Sequence, residues 1–166
     1  MSLASRLETD IASPIGPLRL RRETPADEDF RFALFCTTRP EFALFPEAIR
    51  DTLVRQQFRA QTLGHAAQYP GALLAIIEKE GRPIGRIALD ETAERLHLID
   101  IVAAPALRGK GAGTAVLRAL MEIAPRFTLH VAQTNAGAAN LYRRLGFVAI
   151  AQDAAYIEME WRPSVG

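Results

Sequence analysis

The segment Arg108-Gly109-Lys110-Gly111-Ala112-Gly113-Thr114 sets three glycines in five positions beside two cations. Glycine lets the backbone turn without a Cβ clash and brings main-chain N–H groups close to a ligand. The apolar run Leu96 to Ala103, closed by Pro105, precedes the segment. Ala115, Val116, Leu117, Leu120, Met121 and Ile123 follow it at helical spacing as far as Pro125. A glycine-rich corner between strand and helix leaves N–H groups unpaired at the positive end of the helix dipole. Such a corner binds a phosphate or pyrophosphate, and Arg108 and Lys110 add full charges.

Two familiar phosphate motifs do not fit. A P-loop requires Gly-x-x-x-x-Gly-Lys-Ser/Thr, which no segment supplies. A dinucleotide fingerprint begun at Gly109 and Gly111 meets Thr114 where its third glycine belongs, and this strand comes too late for a first βαβ unit. The segment does fit Arg/Gln-x-x-Gly-x-Gly/Ala, read as Arg108, Gly111 and Gly113. About two dozen residues later comes Asn135-Ala136-Gly137-Ala138-Ala139-Asn140-Leu141-Tyr142-Arg143-Arg144-Leu145-Gly146-Phe147. That gap is what one helix and one strand require. The first block resembles the coenzyme A pyrophosphate loop of the GNAT N-acetyltransferase superfamily. The second resembles its Asn-x-x-Ala-x-x-Leu-Tyr-x-x-x-Gly-Phe pattern at every fixed position. The resemblance covers roughly residues 17–162, with the specific motifs inside 96–150.

The resemblance implies an acetyl-CoA-dependent N-acetyltransferase that passes acetyl directly to a primary amine. Its cofactor site would comprise Arg108, Gly109, Lys110, Gly111, Ala112, Gly113 and Thr114 around the diphosphate. Asn135, Ala138 and Asn140 would face the pantetheine arm, and the main chain of Ile101, Val102 and Ala103 would polarise the acetyl carbonyl. Tyr142 matches the family tyrosine near the departing sulfur. A phenol can protonate a thiolate, though with little driving force. The bland reading of Tyr142 is a packed residue on the inner face of helix 136–145, beside Leu141 and Leu145. Asn135 at a strand-to-helix corner also suits an N-cap, and one side chain can fill both roles. Asn140 suits a solvated helix face equally well.

The general base is less clearly marked. Asp100 lies in the strand next to the proposed acetyl donor, where a buried carboxylate would be tuned upward for proton transfer. The rival is a structural Asp bonded to backbone amides near a bulge. His97 shares alternation with Ile99 and Ile101, not with Asp100, unless a bulge intervenes. His130 is a further candidate, and for either histidine a satisfied sheet residue is the ordinary reading. No metal-ligand spacing emerges, so no metal is expected.

Composition sets outer limits. The 166 residues suit one domain, with 49% hydrophobic and 23% charged residues and a net charge of +1. Neither nucleic acid nor an anionic membrane is expected as a partner. No apolar run approaches the roughly 20 residues of a span, and no secretory signal is evident. A lone Cys36 has no internal disulfide partner, and a cytoplasmic location fits. The acceptor is expected to be a small-molecule or peptide amine. A non-catalytic acyl-CoA-binding module and a toxin-like enzyme acting on aminoacyl-tRNA are the alternatives. A one-sided surface of Arg50, Arg55 and Arg59 would favour the latter.

These groups need elements to hold them. The predicted fold is α/β, a single domain with a mixed, mostly antiparallel sheet of about seven strands. One parallel pair, 95–103 with 127–131, is joined by the crossover helix 112–124, and about four helices flank the sheet. Residues 1–16 read as a loose N-terminal arm before the domain at 17–166. Strands are expected at 18–21, 72–78, 84–89, 95–103, 127–131, 147–150 and 156–161, the last a half-solvated edge and candidate homodimer contact. Thr24-Pro25-Ala26-Asp27 opens a helix running to about Cys36. Residues 37–46 form a loop, and a long helix then reaches about His65 on a stripe of Ile49, Leu53, Val54 and Phe58. The resemblance implies that acceptor choice resides in that loop and the helices either side of it, with Phe42, Leu44 and Phe45 as an apolar entrance and Arg39 and Glu41 as charge. The bland reading packs these aromatics under the long helix.

Overall fold

The computed structural model describes residues 2–166. Seven strands form one sheet: β1 (Leu18–Arg22), β2 (Leu73–Lys79), β3 (Arg82–Glu91), β4 (Leu96–Ala103), β5 (Phe127–Ala132), β6 (Val148–Gln152) and β7 (Tyr156–Trp161). Their spatial order is β1-β2-β3-β4-β5-β7-β6. Every pairing is antiparallel except β4 with β5. Five α-helices accompany the sheet among the described residues: α1 (Leu3–Arg6), α2 (Glu28–Thr37), α3 (Glu47–Gln68), α4 (Ala112–Met121) and α5 (Ala136–Arg144). The expected architecture holds, with the single turn α1 as the added helix.

The β4–β5 pairing ends early. Only Leu96, His97 and Leu98 pair with Phe127, Thr128 and Leu129. Immediately beyond, β4 carries a bulge: Leu89 opposes Leu98 and Ala88 opposes Asp100, leaving Ile99 as the extra residue. A bulge bends its strand and sharpens the twist, so β4 leaves β5 where Ile99 intrudes. The extra residue also resets which side chains share a face. Leu98 and Ile101 now join the main core, whereas Asp100 and Val102 face the opposite side.

That main core lies between the sheet and α4, α5 and the N-terminal segment. Val116, Leu117 and Leu120 of α4 are fully buried against Phe127, Leu129 and Met159, each such side chain contributing roughly 1.5–3 kcal/mol by its removal from water. A second, smaller cluster of Phe35, Val54 and Phe58, flanked by Phe32 and Phe42, joins α2 to α3 on the other side. Between that cluster and the sheet lies a polar layer rather than more apolar packing.

Three expectations are revised. Residues 2–16 are not a free arm: Leu3 and Ile11 are buried, Ile11 bridges Leu18, and Arg6 reaches Glu122 at 3.1 Å. The last strand, β7, is no edge but lies between β5 and β6, because β6 returns outside it; β6, with Val148 and Ile150 exposed, is the open edge. The apolar stripe of α3 excludes Ile49, which is exposed, and Leu53 is only half-buried. Of the three arginines weighed as a one-sided surface, Arg50 and Arg55 are engaged locally and Arg59 is exposed. Arg50 bonds the carbonyls of Ala43 and Phe45, and Arg55 pairs with Asp51 at 3.0 Å.

Candidate active site

The corner before α4 has the geometry its glycines foretell. Gly109 and Gly111 have φ of +73° and +89°. Gly111 is the left-handed N-cap residue and offers no side chain to cap the helix, so the amides of Ala112, Gly113 and Thr114 have no i−4 carbonyl within it. A Cβ at Gly111 would lie 2.9 Å from Pro14, so the N-terminal segment closes over the corner. A cavity of about 690 Å³ opens there, lined by Ile101, Ala103, the loop from Arg108 to Thr114 except Lys110, and Gly137, Ala138, Leu141 and Tyr142 of α5. Amides at a helix N-terminus suit a diphosphate, and the apolar wall suits an extended arm.

Arg108 lines this cavity, and its side chain also ties the loop to its surroundings. Its Nε donates to the Ala103 carbonyl (3.1 Å) and its Nη2 to the Thr37 hydroxyl (2.7 Å), so it links the loop to the end of α2. Lys110 is exposed. Asn140 is exposed too, accepts from Arg143 at 3.3 Å, and lines neither this cavity nor those below.

Helix α5 is fixed at both ends by its own motif. Asn135 caps it, its Oδ1 accepting from the Ala138 amide at 3.2 Å. At the far end Gly146 takes φ +99°, its amide donates to Arg143, and the Phe147 amide donates to the Tyr142 carbonyl, both at 3.0 Å. This is a Schellman closure, which needs a residue tolerant of positive φ. The Gly-Phe pair thereby anchors Tyr142, whose ring also meets that of Phe147 at 5.8 Å. Tyr142 is 8% exposed, and burial, helped by the Asp100 charge, pushes its phenol up to about 12.

Where β4 and β5 part, a cavity of about 190 Å³ is lined by Asp100, Ile101, His130, Asn135, Ala138 and Tyr142 among others. It shares Ile101, Ala138 and Tyr142 with the cofactor-side cavity. Across the sheet it shares Asp100, Ile101 and Asn135 with a third cavity, of about 400 Å³, under α2 and α3. Asp100 therefore stands between an entrance beneath the helices and the cleft that holds Tyr142. Burial pushes its carboxyl above the usual range, against the pull of Arg86, His65, the Ile101 amide and Arg39. Asp100 thus sits at a bulge beside the Ile101 amide, and its burial favours the protonated form.

The histidines separate. His97 is buried, with Nδ1 2.7 Å from the Thr128 hydroxyl and Nε2 3.3 Å from the Tyr69 hydroxyl. With both ring nitrogens engaged it is a satisfied sheet residue, held down to about 4 by burial and by Arg95 and His130. Because of the bulge it does share a face with Asp100, yet it lines none of the three cavities. His130 does line the cleft. Among the described residues no cluster of His, Cys, Asp and Glu could hold a metal ion.

The cavity under α2 and α3 corrects the expected entrance. Phe42, Leu44, Phe45 and Glu41 do not line it; Leu44 is exposed to solvent and Phe42 joins the α2–α3 cluster. Arg39 does line it, with Arg31, Leu34, Phe35 and Thr38 of the same arm, Phe58, Gln61, Thr62 and His65 of α3, and Arg86 of β3. Arg31, Thr62, His65 and Arg86 were not foreseen. Their signal was present: Phe58, Thr62 and His65 continue the buried stripe of α3 in polar residues, and Arg86 interrupts an apolar strand.

Comparisons with known proteins agree with this geometry. The profile described as the Acetyltransferase (GNAT) family matches residues 34–147. No curated protein matches the chain. Among solved structures the fold is similar to PaiA N-acetyltransferase from Thermoplasma acidophilum in complex with coenzyme A. The TM-score is 0.64 at 16% identity, over 88% of this chain and 99% of that one. It is also similar to spermidine N-acetyltransferase from Vibrio cholerae in complex with CoA and spermine, with TM-score 0.60 and 20% identity over 87% and 94%. A third is the ribosomal-protein-S18-alanine N-acetyltransferase from Escherichia coli, with TM-score 0.58 and 17% identity over 86% and 92%. With its glycine corner, its parted strands and its anchored tyrosine, the chain belongs to the GNAT acetyltransferase family and uses that family's cofactor, acetyl-CoA.

Proposed function

We propose that the protein is an N-acetyltransferase that moves an acetyl group from acetyl-CoA directly onto a primary amine. The observation that carries this reading is the position of Asp100, which lines both the cavity beneath α2 and α3 and the cleft shared with Tyr142. Bound acetyl-CoA supplies a carbonyl activated towards attack. The amides of Ala112, Gly113 and Thr114 hold its diphosphate, and Ala138 and the Asn135 amide group line the route into the cleft. Asp100 takes the proton that the amine nitrogen must lose. As the N–C bond forms and the C–S bond breaks, a main-chain donor between Ile101 and Ala103 stabilises charge on oxygen. Tyr142 gives its proton to the departing sulfur, and solvent restores both side chains. A phenol pushed up to about 12 is protonated at neutral pH, as a donor must be.

The reading includes a cytoplasmic setting, with Cys36 a free thiol, and a small-molecule or peptide acceptor. A homodimer would use β6 rather than the enclosed β7. No described helix is long and apolar enough to cross a membrane. The test is calorimetry with acetyl-CoA followed by a thiol-release screen over amines. Saturable binding with turnover of at least one amine is expected; saturable binding with none across a broad panel contradicts catalysis.

A further inference from the structure

The cavity beneath α2 and α3 has an unbalanced charge. Arg31 and Arg86 converge on a single carboxylate, Glu23, whose side chain is 8% exposed. Arg31 Nε lies 3.1 Å from one of its oxygens and Arg86 Nε lies 2.7 Å from the other. Both guanidiniums are themselves mostly buried. Arg39 adds a third, stacked 4.9 Å over the Phe35 ring and carrying no ion pair among the described residues. Against these three cations the lining holds one carboxylate, Asp100, while Glu23, outside the lining, offsets part of the Arg31–Arg86 charge.

Burying guanidinium groups in excess of carboxylates is unfavourable unless a further anion arrives. Burial, and after it the neighbouring Arg86, hold Arg31 below its ordinary value against the pull of Glu23, Glu28 and Asp27. A second feature orients the anion. Asp100 pairs opposite Ala88, and Arg86 lies two residues further along β3, roughly 7 Å at strand rise. An amine delivered to Asp100 thus leaves the rest of its molecule beside Arg86 and Arg39. The volume of about 400 Å³ suits a small metabolite.

We infer that the acceptor amine carries an acidic group, carboxylate or phosphate, on the same small molecule, bound by Arg39 and the Arg31–Arg86 pair while its amino group meets Asp100. This rests on the acetyl-transfer reading above and adds the substrate class. It disfavours polyamines, whose second ammonium would lie among three guanidiniums.

The experiment compares kcat/KM for thiol release at saturating acetyl-CoA. Amino acids of increasing amine-to-acid separation are set against their carboxamides and their decarboxylated amines, with amino-alcohol phosphate esters as a second anionic arm. Loss of the anion is expected to lower kcat/KM by about 10- to 100-fold, the scale of hydrogen bonds to charged groups. The two anionic arms identify carboxylate or phosphate as the acid. Arg86→Gln leaves Glu23 with one partner and can disturb folding, so Arg39→Gln, which breaks no ion pair, is the decisive variant. It is expected to raise KM for the acid-bearing amine about tenfold and to narrow its preference over the carboxamide. Equal or better turnover of neutral amines or polyamines, or no turnover of any acid-bearing amine, overturns the inference while a saturable acetyl-CoA isotherm leaves the transferase reading standing. A flat isotherm removes both.

Discussion

Asp100 and Tyr142 line one cleft from different elements, and the charge on the first helps to hold the proton on the second. The pair exists because of two local devices. The bulge at Ile99 turns Asp100 out of the main core and ends the pairing of β4 with β5. The Schellman closure at Gly146 and Phe147 fixes the helix that carries Tyr142. Asp100 and Tyr142 thus reach one cleft through a bulge and a helix closure, which strand alternation alone would not supply.

Tyr142→Phe is expected to lower kcat about 100-fold, the smaller end of general-acid contributions. Its phenol oxygen makes no hydrogen bond among the described residues, so the fold and the acetyl-CoA isotherm should change little. Steady-state kinetics beside calorimetry decides the point. An unchanged kcat assigns Tyr142 to packing alone.

Asp100→Asn separates activity from stability. Burial raises the Asp100 carboxyl above its unfolded value of 3.8. Its favourable contribution is therefore complete below that value and is lost as pH rises through the folded pKa, so the ionised residue is a burden near neutrality. The amide should leave the melting temperature equal or higher at pH 7 while removing most turnover and the acidic limb of the kcat/KM profile. A variant that keeps this limb shows that another group is the base.

Gly111→Ala and Gly64→Ala should act in opposite directions. At Gly111 the substitution meets φ of +89° and Pro14 at 2.9 Å, and a loss of about 1–3 kcal/mol with weaker acetyl-CoA binding is expected. Gly64 lies inside α3 with open space around its would-be Cβ, and alanine there should stabilise by about 0.5–1 kcal/mol. Denaturant midpoints for the two variants provide the comparison.

Acid should weaken the fold in two windows. His97 is held down to about 4 against an ordinary 6.5, so the unfolded chain binds a proton first. Stability is full above about 6.5 and falls by up to about 3 kcal/mol as pH drops to about 4. Asp27 behaves as a depressed carboxylate, held well below its ordinary range by the bidentate Arg21 pair and the Thr24 amide. Its contribution is present above 3.8 and is lost only in stronger acid. His97→Gln should cost stability at pH 7 yet flatten the upper window, which denaturation at a series of pH values will read.

The cofactor half of the site was legible because its letters act through the main chain. Gly109, Gly111 and Gly146 state a backbone requirement, and spacing places them at helix ends. The cleft was not legible from alternation, since one extra residue at Ile99 reverses the face of Asp100. The cavity beneath α2 and α3 was legible only as a region, the loop 37–46 and its flanking helices, and not by its residues. Its residues come from α2, α3, β2, β3 and β4, far apart in sequence, and only the packing of two helices over the sheet brings Arg31 and Arg86 to one cavity. The position of β7 escaped for a similar reason: Ile157, Met159 and Trp161 alternate as an edge strand would, but β6 covers the outer side.

A crystal structure with coenzyme A bound tests the central claim most directly. The diphosphate oxygens should lie within hydrogen-bonding distance of the amides of Ala112, Gly113 and Thr114, with the sulfur in the cleft beside Tyr142. A diphosphate seated away from that corner, or a sulfur directed out of the cleft, would contradict the account.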